Sequence, residues 1–123
     1  RLLSDEGRDW FHLRQMLRFI AHIERRLTDL SEADFHANRD EIDLTAYRFQ
    51  MIGEAARRLS ESVKARNPEI NWTGIIGMRN IIAHDYEGLA STVMWNAARD
   101  GLSALAQACR AELAAMGESE PED

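Results

Sequence analysis

The densest chemistry in the chain lies in one short run, Met78-Arg79-Asn80-Ile81-Ile82-Ala83-His84-Asp85-Tyr86. Within it an arginine, an amide, an imidazole, a carboxylate and a phenol alternate with apolar residues that anchor them to a core. Such a set suits RNA cleavage without a metal. That reaction needs a group titrating near neutrality to take the ribose 2′-hydroxyl proton, and a cation to meet the charge growing on the phosphate. An imidazole, titrating at about 6.5 when unperturbed, suits the first role, which falls to His84. The guanidinium of Arg79 suits the second. Asn80 could orient the phosphate or the histidine, and Tyr86 could donate to phosphate, stack on a base, or accept a transferred group. The same residue types near a helix end also serve as caps and ion-pair partners, so the run by itself leaves both readings open.

Geometry constrains the catalytic reading. On an ideal helix Tyr86 lies roughly 20° around the axis from Arg79, whereas His84 lies about 140° away. Convergence on one site therefore requires either a helix that ends near His84, so that the imidazole turns back, or a second copy of the motif across a dimer axis. Gly88, just downstream, is compatible with both.

Other signatures are missing. There is no phosphate-cradling glycine loop, no Gly-X-Ser-X-Gly elbow and no His-Glu-X-X-His pair, so neither a metal nor a cofactor is implied. His12 and His22 stand ten positions apart, too far along a helix to share a metal, and His36 is expected in a connection. Gly53 reads as a close-packing position, and Tyr47 and Trp72 as core. Glu54, in an apolar stretch, either holds Arg79 or His84 in place or pairs with Arg57 or Arg58 on the surface. Arg57, Arg58, Lys64 and Arg66 read first as a solvated helix face, and Asp85 as a helix-end residue.

The elements that must position these groups are helical. With two prolines, seven glycines and few β-branched runs, the 123 residues contain no convincing strand. Trp10, Leu13, Leu17, Ile20, Ile23, Leu27 and Leu30 recur every three or four residues and predict a helix over about 9–30. Ser31 with Asp34 predicts a cap and a short helical piece to about Asn38. Arg39, Asp40, Glu41 and Asp43 then read as a solvated connection. A second long helix is expected from Ile42–Thr45 to about Ala65, ended by Asn67-Pro68. Asn71 is placed to cap a third helix carrying Trp72, Ile75, Ile76 and Ile82. Ser91 is placed to cap a last helix running to about Met116.

Four main helices and a short one bury their stripes most economically as an all-α, antiparallel up-and-down bundle. Residues 1–117 are expected to form one helical domain, with an acidic, disordered tail at 118–123. Three tryptophans, Trp10, Trp72 and Trp95, overfill so small a core, and a homodimer is expected.

Composition sets the surroundings. One cysteine, Cys109, excludes an internal disulfide, and the natural compartment is a reducing cytoplasm. No apolar stretch approaches the roughly 18 residues of a membrane span, and the first residues, Arg1 to Arg8, lack the pattern of a secretory signal. The net charge is −6, but Glu118, Glu120, Glu122 and Asp123 carry four of the negative charges, leaving −2 on the body. Fourteen of the fifteen basic residues are arginine, a compositional habit before it is a binding signal.

The residues 79–86 match the Arg-X4-His-X-Tyr motif of the HepT toxins in the HEPN superfamily. The resemblance extends to Ile52-Gly53-Glu54-Ala55-Ala56-Arg57-Arg58-Leu59-Ser60, similar to the family's Ile-Gly-Glu-Ala segment. Pro68-Glu69-Ile70-Asn71-Trp72 and Gly77-Met78-Arg79-Asn80 are similar to its Pro-X-Ile-Pro-Trp and Met-Arg-Asn stretches. It covers about 8–113 and is most specific from Tyr47 to Tyr86. Asn71 stands where the family often has proline, and Glu87-Gly88 where many relatives carry an aromatic residue.

The resemblance implies an all-α dimer and the toxin of a type VII pair. It also implies a metal-independent endoribonuclease with Arg79 and His84 catalytic, supported by Asn80, Tyr86 and Glu54. Its implied partners are RNA and a minimal nucleotidyltransferase antitoxin that silences the toxin by transferring AMP from ATP to the motif tyrosine, here Tyr86. The alternative is a non-catalytic helical dimer of the same superfamily that binds a nucleotide or a protein.

Overall fold

A computed structural model describes residues 6–118, 120 and 121, and among these the chain is helical without strands. A 3-10 turn at Glu6–Arg8 leads into α1 (Asp9–Thr28), α2 (Glu32–Ala37), α3 (Arg39–Arg58), α4 (Glu61–Arg66) and α5 (Trp72–His84). A second 3-10 turn, Tyr86–Gly88, precedes α6 (Ser91–Asp100) and α7 (Leu102–Ala115). The all-α expectation holds. None of these helices is long and apolar enough to cross a membrane.

The stripe on α1 buries Leu13, Met16, Leu17, Ile20, Ile23 and Leu27. It packs between α3 and α7, and α5 covers the other side of α3. Side-chain contacts fix the directions. Arg26 near the end of α1 chelates Glu41 near the start of α3, while Asp9 at the start of α1 reaches Ser60 beyond the end of α3. The two helices are therefore antiparallel. Glu112 near the end of α7 meets Arg66 and Asn67, beside the beginning of α1, which makes α7 antiparallel to α1 as well.

Two of the expected helices are interrupted, each for a physical reason. The apolar spacing Ala55, Leu59, Val63 predicts one helix through to Ala65, yet the chain turns extended at Leu59 and Ser60. There the Ser60 hydroxyl accepts from the Val63 amide as the cap of α4. The buried Asp9 carboxylate accepts from both the Ser60 amide, at 2.9 Å, and its hydroxyl, at 2.6 Å. A cap backed by a buried carboxylate outcompetes helix continuation. Farther on, Gly101 splits the expected last helix into α6 and α7, as the residue with the weakest helix propensity after proline.

Other details differ from the sequence reading. Arg39 to Asp43 form the first turns of α3, started by Asn38, whose side chain accepts from the Glu41 amide. His36 lies within α2, and its ring bonds the Ser91 hydroxyl and Glu32. Ser91 is therefore occupied, and Ala90 precedes α6 without a side-chain cap. Tyr47, expected in the core, is 53% exposed and meets Phe19 edge-on. Trp95 is buried, whereas Trp10 and Trp72 are only partly so. Ser31 and Asn71 cap α2 and α5 as expected.

Cys109 is fully buried, and that burial pushes its thiol up to about 12. Of the acidic tail, Glu120 pairs with Arg110 at 2.8 Å, while Glu122 and Asp123 lie outside the described residues, as do Arg1 to Asp5.

Candidate functional site

A missing side chain sets the distance between α3 and α5. A Cβ at Gly53 would lie 2.3 Å from the Arg79 Cβ and 3.1 Å from the Ile75 carbonyl oxygen. Only glycine lets α5 lie this close, which seats Arg79 against α3 one residue from Glu54. The Arg79 Nε stands 3.1 Å from Glu54 Oε2, an ion pair by distance that is not aligned as a hydrogen bond. Arg79 Nη1 donates to the Asn80 side-chain oxygen at 2.9 Å. Its Nη2 has no hydrogen-bond partner among the described residues.

Glu54 answers both alternatives raised by the sequence. Besides Arg79, its Oε1 accepts from Arg57 at 2.7 Å and Arg58 at 3.1 Å. The Arg57 hydrogen bond, helped by Arg58 and Arg79 against partial burial, holds the carboxyl down at about 2. Three guanidiniums around one carboxylate keep an excess of two positive charges. A carboxylate held low stabilises the fold above the usual range near 4.5, and that contribution is lost as pH falls through about 2. Urea midpoints for Glu54→Gln should therefore fall less steeply than wild type across this acid window. Identical acid profiles would remove Glu54 from the account.

His84 is the last residue of α5, and the Asp85 amide closes the helix by donating to the Ile81 carbonyl at 2.7 Å. α5 thus ends at His84, the first of the two arrangements left open by the sequence. The imidazole is exposed and has no hydrogen-bond partner among the described residues. Tyr86 opens the following 3-10 turn with its ring partly buried against the core. Its hydroxyl donates to the Asp43 carboxylate, which also faces Arg39 Nη1 at 3.5 Å. Burial above all, and then Asp43, raise the Tyr86 phenol, while Arg39 opposes them.

The five residues singled out by the sequence thus fall into three places. Glu54, Arg79 and Asn80 come together, Tyr86 is held apart from them at the start of α3, and His84 stands open between. Since α3 and α5 run antiparallel, the eleven residues from Asp43 to Glu54 separate the two ends of this groove by roughly 16 Å. Sequence reasoning missed Asp43 and Arg39. The available signal was periodicity, because Asp43 precedes Glu54 by three turns and lies about 20° from it around the axis.

Elsewhere a basic groove of about 510 Å³ opens between α1 and α3, lined by His22, Arg25, Arg26 and Arg48 with Asp29 and Glu41. Burial first, and then the neighbouring Arg26 and Arg25, lower the Arg48 guanidinium. Among the described residues no histidine, cysteine or carboxylate group has the arrangement of a metal site.

Comparison with known proteins places the chain in a family. The chain is 29% identical to a candidate RNase of Methanocaldococcus jannaschii over 51 residues, 42% of this chain and 47% of that protein, about half its length. It is 24% identical to the probable ribonuclease HepT of Thermococcus cleftensis over 76% of this chain and 86% of that one. A candidate RNase of Caldanaerobacter subterraneus is 26% identical over 68% of this chain and 75% of its own. No solved structure matches the chain. The family described as ribonuclease HepT-like matches residues 16–112, which is most of the chain, and the protein therefore belongs to the HepT-like ribonuclease family.

Proposed function

We propose that this chain is the toxin of a type VII pair, a metal-independent endoribonuclease silenced by AMP transfer from a minimal nucleotidyltransferase antitoxin to Tyr86. The observation that carries the reading is the pairing of a fixed cation with an open imidazole on one helix. Arg79 is held by Glu54 and Asn80 with Nη2 left free, and five residues on, α5 stops and exposes His84.

The chemistry follows from those groups. His84 removes the ribose 2′-hydroxyl proton, the 2′-oxygen attacks the adjacent phosphorus, and the bond to the 5′-oxygen breaks, that oxygen leaving as a hydroxyl with a proton from water and the 2′,3′-cyclic phosphate staying behind. Arg79 meets the charge on the non-bridging oxygens, with Arg57 and Arg58 adding to the local field. AMP on Tyr86 would set a phosphate and an adenosine two residues from His84, where the RNA phosphate must come.

A homodimer completes the reading. Only Ile82 of α5 is buried, although the helix also carries Trp72, Ile75, Ile76, Met78 and Ile81, the last 43% exposed. A Cβ at Gly77 would meet nothing within 4 Å, so another helix can approach closely there. A second copy on this face would cover apolar surface and bring a second Arg79 and His84 to the same groove.

The test is RNA cleavage by purified protein in excess EDTA, with intact mass recorded. Wild type should release 2′,3′-cyclic ends, and His84→Ala should be slower by about 10²-fold or more with unchanged helix content. Folded, unmodified wild type that cleaves none of several RNAs would favour the non-catalytic binding dimer.

A further inference from the structure

Among the described residues the Tyr86 hydroxyl is the one phenol that meets a carboxylate. The other tyrosine, Tyr47, is exposed and has no hydrogen-bond partner among the described residues. Asp43 accepts from the Tyr86 hydroxyl, and Arg39, one turn before it on α3, reaches the same carboxylate oxygen. Arg39 therefore stands next to the acceptor of the phenol's hydrogen bond, and its charge opposes the rise of the phenol. Stability does not account for this trio. The Arg39 and Asp43 side chains are 62% and 50% exposed, and ion pairs that open to water contribute little to folding. What the trio does supply is a nucleophile, a proton acceptor and a cation at one point, the arrangement by which a hydroxyl is activated toward phosphorus.

We propose that Asp43 is the catalytic proton acceptor that makes Tyr86 a nucleophile toward the α-phosphorus of a nucleoside triphosphate, with Arg39 meeting the incoming phosphate. This rests on the reading of Tyr86 as the AMP acceptor and adds the group that makes it competent. In the step, the phenolic oxygen forms a bond to the α-phosphorus as its proton passes to the Asp43 carboxylate. The bond from that phosphorus to the bridging oxygen breaks, pyrophosphate leaves with the electron pair, and Asp43 returns the proton to water. A phenol raised by burial remains protonated at neutral pH, so a neighbouring acceptor is required when it attacks. Arg39 stays in place to pair with the phosphate once Asp43 is neutral.

The test incubates the folded chain with ATP, Mg2+ and a purified minimal nucleotidyltransferase of the HepT-partner type, following AMP addition by intact mass and locating it by peptide mapping. Wild type should be modified at Tyr86 and Tyr86→Phe should not. Asp43→Asn, which keeps an acceptor oxygen but cannot take the proton, should be slowed about 10²-fold. Its rate should rise in proportion to hydroxide across neutral pH where the wild-type rate is flat, and Asp43→Glu should restore most of the rate. A merely structural Asp43 would not change the pH profile. Wild type and Asp43→Asn modified at equal rates would overturn the role of Asp43 while leaving the AMP reading standing. Wild type that gains no AMP would overturn both.

Discussion

Replacing Arg79 by alanine is expected to lower RNA cleavage by about two to three orders of magnitude, the usual cost of losing one preorganised donor to a developing phosphate charge. The fold should survive. Glu54 keeps its hydrogen bonds to Arg57 and Arg58, so removing Arg79 strands no buried carboxylate. Arg79→Lys should recover little, because an ammonium cannot hold Glu54 and Asn80 and still present a free donor at the same point. Rates of cyclic-phosphate release from a short RNA, measured with circular dichroism on the same samples, decide the matter. An Arg79→Ala protein that cleaves at the wild-type rate would end the assignment of the phosphate clamp.

Gly53→Ala should destabilise the protein even though alanine is the better helix former. The propensity gain is about 1 kcal/mol. Against it stands an overlap in which the new methyl sits 2.3 Å from the Arg79 Cβ, with the Ile75 carbonyl at 3.1 Å as a second obstacle. Neither obstacle is the free end of a flexible side chain, so α5 must move off α3 as a body. Overpacking of this kind costs about 1–3 kcal/mol, and the severity of the contact puts this case at the upper end. A net loss on the order of 1–2 kcal/mol corresponds to a melting temperature lower by several degrees. Cleavage should fall with it, because the displacement begins at Arg79. A melting temperature equal to or above wild type would mean that the two helices adjust freely at this crossing.

The sequence revealed the parts governed by local rules. The stripe of α1 and the caps at Ser31 and Asn71 depend on residues within one or two turns of each other, and they stand where expected. The break after Arg58 does not. Its cause is Asp9, fifty-one positions away in sequence, and apolar spacing continues across it undisturbed. Arg39 to Asp43 were ambiguous because charged residues suit both a connection and an exposed first turn. The deciding signs were Asn38 as a cap and two acids just behind it. The site followed the same division. The motif named Arg79, His84 and Tyr86, but the partner of Tyr86 became visible only once α3 and α5 were laid antiparallel.

The deep burial of Cys109 has a practical consequence for measuring assembly. Thiol chemistry needs an accessible thiolate, and the chain's one cysteine supplies neither access nor charge at neutral pH. A cysteine introduced at an exposed position would therefore be the sole point of attachment for a spin label or fluorophore, with no need to strip the native residue from the core. Placed at the rim of α5, one label per chain would report the distance between copies directly, on protein whose interior is untouched.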